Sequence, residues 1–260
     1  MESASILLSK AWKGYKPRFW ELTLVVWVPT VLVALIGNSG KTPQGLIVGL
    51  LAVLVSAIVN LSVIYAIVEN IPVIKALKKA WANILGYWWM MILMWLIVMG
   101  GTVLLLVPGI IFSVWFMMAR YVFILEKQRG LNVLLRSKEY TEGHGWEIFW
   151  KMIYLLPIGI GLVLAAFIAG MLLSLITGGQ FMLGSGEQLL NMVMAFVTGI
   201  ITVLGAYYFL GLFENLRGLK PELRDKPVSI KRGWWIAAAA WGLVGTSVIF
   251  SLAAMAALNN

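Results

Sequence analysis

No cysteine occurs in the 260 residues. That excludes disulfides, thiolate metal sites and a cysteine nucleophile. A single histidine leaves too few ligands for a protein-built zinc centre, so no metal and no cofactor are expected. Charge is also scarce. Charged residues make up 12% of the chain, against roughly 25% in soluble domains. The longest stretches outside apolar runs lie near 126–145 and 214–232, which leaves no room for a separate soluble domain. An enzyme would have to build its site from helix ends and short loops, and no serine nucleophile motif is present. The expectation is therefore a protein that is not an enzyme.

Apolar residues dominate instead: 61% are hydrophobic, mean hydropathy is +0.92, and thirteen Trp and thirteen Met are present. A bilayer core needs ~20 mostly apolar residues in a helix. Such runs occur near 19–37, 46–69, 86–107, 109–125, 148–177, 188–213 and 234–258. The expected fold class is all-α, a polytopic transmembrane helical bundle, because helices satisfy their own backbone groups in lipid. Pro108-Gly109 is expected to break the third span from the fourth, and Pro29 and Pro157 to kink theirs.

The net charge of +9 is explained by topology. With the N-terminus placed in the cytoplasm, nineteen of the twenty Lys and Arg fall on that side, and only Lys41 lies outside. The positive-inside rule then gives a multi-pass protein of the cell membrane, N-terminus in and C-terminus out. Ten of the eleven acidic residues share the cytoplasmic face. This mixing argues for anionic lipid headgroups rather than nucleic acid as the partner of the basic loops. The basic lead before the first span, and no A-x-A pattern after it, speak against a cleaved signal.

Three cytoplasmic segments look alike: Lys10-Ala11-Trp12, Lys79-Ala80-Trp81 and Lys138-Glu139-Tyr140, each followed by an aromatic where a span begins. In the first, Leu8, Trp12 and Tyr15 share a face opposite Lys10 and Lys13. In the second, Val73, Leu77, Trp81 and Ile84 oppose Lys75, Lys78 and Lys79. In the third, Val133 and Tyr140 oppose Asn132, Arg136 and Glu139. Such helices are expected to lie in the headgroup plane. The organisation read from this is a six-span bundle of three repeats over 1–213, each an interfacial helix plus a helical hairpin. A basic loop and an added seventh span follow over 214–260.

The stretch 100–149, with Pro108-Gly109, Arg120-Tyr121, Glu126, Leu135-Arg136-Ser137, Gly143 and Trp146, resembles the membrane domain associated with bacterial glycerophosphoryl diester phosphodiesterases. The Ala11-Trp12 helix fits the same pattern. The soluble catalytic domain of that family is missing here, so the resemblance implies no phosphodiesterase activity. It implies a cytoplasmic-membrane protein with a role in envelope or lipid homeostasis.

Ionisable residues inside a span are costly and so are candidate functional groups. Arg120 leads, with a carboxylate such as Glu69 or Glu126, or a lipid phosphate, as its expected partner. Asn60 ends a small-residue seam of Gly45, Gly49, Ala52 and Ser56, and Asn191, Ala195, Thr198, Thr202 and Gly205 form a second. These seams are compatible with a homo-oligomer, and the basic loops with a cytoplasmic protein partner. The candidate ligand-binding residues are Arg120, Glu126, Asn60, Lys78, Lys79 and Arg136. His144, flanked by Gly143 and Gly145 near Glu142 and Glu147, reads as a hydrated turn. Two functions compete: binding of lipid or a partner through the basic helices, and a small-molecule or lipid transporter with a site at the repeat interface.

Overall fold

The computed structural model describes residues 1–36, 43–104, 106–176, 185–224, 226, 228 and 233–258. Among them the chain is all-helical. The helices are α1 (Ala4–Tyr15), α2 (Phe19–Ile36), α3 (Pro43–Val68), α4 (Val73–Leu104), α5 (Leu106–Phe116), α6 (Ala119–Leu125), α7 (Leu131–Thr141), α8 (Gly145–Ile176), α9 (Ser185–Leu219) and α10 (Gly233–Leu258). Five stretches are long and apolar enough to cross a membrane: Ile47–Val68, Val73–Val103, Val107–Leu125, Gly145–Ile176 and Leu189–Leu219. The other two expected spans coincide with α2 and α10. Lys41, Gly45 and Glu187 lie outside the residues whose side chains are described.

Two compact units divide the helices, one of residues 1–84 and 150–212, the other of 85–149 and 213–260. In the first, α1 packs on α9 through Leu7, Ala11 and Tyr15, all buried. Gly211 and Gly14 permit this approach, since a Cβ on either would meet Leu7 or Tyr207 at 3.3 and 3.0 Å. The buried stripe is therefore Leu7–Ala11–Tyr15. Trp12 points outward with Lys10 and Lys13 beside it. Thr23 of α2 is buried, its hydroxyl bonded to Phe19 O at 2.6 Å and to the Tyr15 hydroxyl. Further along, the Trp27 indole donates to Met192 O at 2.9 Å, tying α2 to α9.

A clamp closes one end of this unit. Arg18, in the tight turn between α1 and α2, donates to Ala66 O and Ile71 O, both at 2.8 Å. Its Nε pairs with Glu21 at 3.0 Å, and Glu21 accepts from Val73 N at 3.0 Å. These bonds satisfy carbonyls left open at the end of α3 and one amide at the start of α4. They also place the α1–α2 and α3–α4 junctions side by side.

In the second unit the fourth span is broken at a place the sequence reading did not mark. α4 is described to Leu104 and α5 from Leu106, on either side of a residue that lies outside the described ones. Pro108 sits in the first turn of α5, where its missing N–H costs nothing because those amides have no helical acceptor. Gly109 instead allows α5 to lie close on α4, where a Cβ would strike Thr102. The fourth span itself is interrupted at Met117–Met118, between α5 and α6. It opens carbonyls in the last turn of α5, and Ser137 of α7 donates to Trp115 O at 2.6 Å, with the Thr141 hydroxyl 3.5 Å away. Ser137→Ala is expected to lower thermal stability by about 1 kcal/mol, the net worth of one hydrogen bond, as read by tryptophan fluorescence in detergent.

The second and third segments of the expected repeat also differ from the reading. Residues 73–104 form one unbroken helix, with Ala76 and Ala80 buried and Ile74, Leu77 and Trp81 exposed. α7 is not an interfacial helix with a solvated face. Val133, Leu134, Leu135, Arg136, Ser137, Glu139, Tyr140 and Thr141 are all buried. α10 belongs to this unit and crosses α4 at glycines. A Cβ on Gly100 would lie 3.0 Å from Gly242, and one on Gly242 would strike the Leu96 carbonyl.

Candidate functional site

Of the six candidate residues, the structure brings two together. Arg136 of α7 is 1% exposed, and its Nε lies 3.3 Å from Glu126, whose side chain is 6% exposed. That is ion-pair distance without hydrogen-bond geometry, since Nε has no hydrogen-bond partner. Nη1 donates to Glu139 at 2.8 Å, one helical turn on, and Nη2 donates to Lys226 O. The Tyr140 hydroxyl donates to the second Glu126 oxygen at 2.5 Å. Burial first, and the Glu126 hydrogen bond second, push the Tyr140 phenol well above its usual range, so it stays a donor.

Two carboxylates against one guanidinium leave an excess negative charge. The end of α9 supplies cations: Lys220 donates to Glu139 O and Glu142 O, both at 2.6 Å, and Arg217 acts electrostatically on Tyr140. The Arg217 Nε is buried without a hydrogen-bond partner among the described residues. Beside this cluster the Lys138 ammonium stands 4.6 Å from the Trp115 ring centre and 5.3 Å from that of Trp235, a cation–π contact to α10.

This arrangement is a pairing network: among the described residues both Arg136 Nη atoms donate to protein oxygens, and its Nε faces Glu126 at ion-pair distance. Glu139, Tyr140, Ser137, Arg217 and Lys220 were missing from the candidate set. The signal for the first was available, because Arg136 and Glu139 are three apart and share a helix face. The near-continuous Leu131, Val133, Leu134, Leu135 run also marks a helix buried on most sides.

The remaining candidates lie apart from this cluster. Arg120 is exposed on α6 and pairs with neither expected carboxylate: Glu126 is held by Arg136 and Tyr140, and Glu69 pairs with Lys79. Lys78 is exposed. Asn60 bonds within its own helix, donating to Ser56 O at 2.8 Å. Its seam is open at Gly49, and the second seam at Gly205, where an added Cβ would meet nothing within 4 Å. His144 precedes α8 in a turn shaped by Gly143 at φ +83°, 3.8 Å from Glu147. Among the described residues, no group of three His, Asp or Glu could hold a metal ion.

Set beside known proteins, the sequence matches no family model, and neither a curated protein nor a solved structure is similar to it.

Proposed function

We propose that this chain is a non-enzymatic, multi-pass protein of the cell membrane that binds anionic lipid headgroups through the basic segments of α1 and early α4. Its role would lie in envelope or lipid homeostasis, with the N-terminus cytoplasmic. The observation that carries this reading is the pairing of exposed tryptophans with exposed lysines at one end of one unit. Trp12, Trp20 and Trp81 are 46%, 65% and 69% exposed. Lys10, Lys13, Lys75 and Lys78 are exposed around them, and the Arg18–Glu21 clamp sets the two junctions side by side. Indole rings gather at headgroup level, where their polar edge is wet and their body is not. Lysines there gain from the negative surface potential.

The test is a variant with Lys10, Lys13, Lys75 and Lys78 all replaced by Gln, reconstituted in vesicles mixing phosphatidylglycerol and phosphatidylcholine. Each lysine near an anionic surface contributes about 1 kcal/mol. Enrichment of phosphatidylglycerol in the lipid that co-purifies with the protein is expected to fall by about tenfold or more. Equal enrichment in the variant and the parent would sink the reading.

A further inference from the structure

A guanidinium cannot shed its proton, and inside a span it needs an anionic or hydrogen-bonding partner. Arg120 lies within the Val107–Leu125 candidate span, five residues before the end of α6 and so about 8 Å from it at 1.5 Å per residue. Its neighbours on α6 are buried, while its own side chain is exposed. Among the described residues no carboxylate pairs with it, and both carboxylates within sequence reach are committed elsewhere.

The surroundings add a second cation and an amphipathic ring. Phe123 follows Arg120 by one turn on the same side of α6. The Arg129 guanidinium lies 4.2 Å from the centre of the Phe123 ring, and Tyr87 of α4 meets that ring at 5.7 Å. Arg129 crosses to α4 at Gly86, where a Cβ would lie 3.5 Å from its Cδ. One turn along α4, Trp89 is 57% exposed, and its indole edge comes within 3.8 Å of the Cβ position of Gly130. Arg120 acts electrostatically on Tyr87, the α4 residue that meets the Phe123 ring.

We infer that Arg120, in the same unit as Arg129 and Trp89, holds one phosphate ester anion at the exposed edge of α6, drawn from a phospholipid headgroup. Guanidinium and phosphate match as a bidentate pair, and the exposed Arg120 supplies charge-assisted bonds from within the span. This site rests on the lipid-binding reading but sits on different residues, so the two can fail separately.

Native mass spectrometry of the full chain released from phosphatidylglycerol-containing nanodiscs tests it. The parent is expected to keep one lipid adduct under activation that strips the rest. Arg120→Gln is expected to lose that adduct, with retention lower by about tenfold or more, the worth of a charge-assisted hydrogen bond. Arg129→Gln should weaken it less, and the four-lysine variant should keep it. An adduct equally retained in Arg120→Gln, with unchanged melting temperature, overturns the site while leaving the surface reading intact. Loss only in Arg120→Gln, with the four-lysine variant keeping the adduct, supports the site, and the surface reading stands or falls on its own enrichment test. Displacement of the adduct by soluble glycerol phosphate in detergent also supports the phosphate site and assigns its ligand to the solute.

Discussion

Arg136→Ala is expected to cost about 3–5 kcal/mol of stability, the largest effect of any single side chain in the molecule. The cost is not the energy of one ion pair. Removing the guanidinium leaves Glu126 and Glu139 facing each other's charge in a site that excludes water, with Lys226 O stripped of its donor. Thermal unfolding in detergent, followed through the tryptophans, reads the loss. A second variant separates pairing from ligand binding. Replacing Arg136 by Met, Glu126 and Glu139 by Leu, and Tyr140 by Phe removes the ion-paired side chains and the hydroxyl together. Buried ion clusters exchanged for apolar groups of similar volume come out neutral or more stable, by about 1–4 kcal/mol. Recovery in that variant is therefore expected. Continued instability would mean that the cluster does more than pair with itself.

Gly242→Leu is expected to displace α10 from α4. A Cβ at 242 falls on the Leu96 carbonyl, a backbone atom that cannot swing aside, and the facing Gly100 gives no slack. Overpacking of this kind costs about 1–3 kcal/mol. Position 245, one turn on, offers a reporter, because its Cβ would lie 3.3 Å from that of Val103, near the separation a disulfide spans. In a chain without native cysteine, Val103→Cys with Gly245→Cys should oxidise to a single intramolecular bridge. Adding Gly242→Leu should abolish the bridge. A bridge formed equally well in both backgrounds would show that the glycine crossing does not hold α10 in place.

The long helices were legible in the apolar runs, since only a helix satisfies its own backbone over such lengths. Boundaries were less so. The sequence reading put a break at Pro108-Gly109, between the third and fourth spans, and did not read the interruption inside the fourth. The break at Met117–Met118 carries no Gly or Pro. It persists because Ser137, far along the chain, takes the carbonyl it exposes. Polarity misled at α7 as well. A basic-acidic helix beside the membrane reads as solvated, but Arg136 pairs with both Glu139 and Glu126 inside the unit. Arg120 shows the reverse: the residue was found from sequence, but its expected carboxylate partners were not its neighbours.

The broken helix also orders the protein's manufacture. Trp115 O waits for a hydroxyl 22 residues later in the chain, and Arg136 for a carbonyl 90 residues later. As the ribosome delivers the chain, α5 and α6 enter the bilayer before α7 exists to close the gap between them. Arg136 then arrives with both carboxylates but without its last acceptor, which follows only after α8 and α9 have emerged. The second unit is thus finished from its far end, and a truncation between α7 and Lys226 leaves Arg136 without the carbonyl that takes its Nη2.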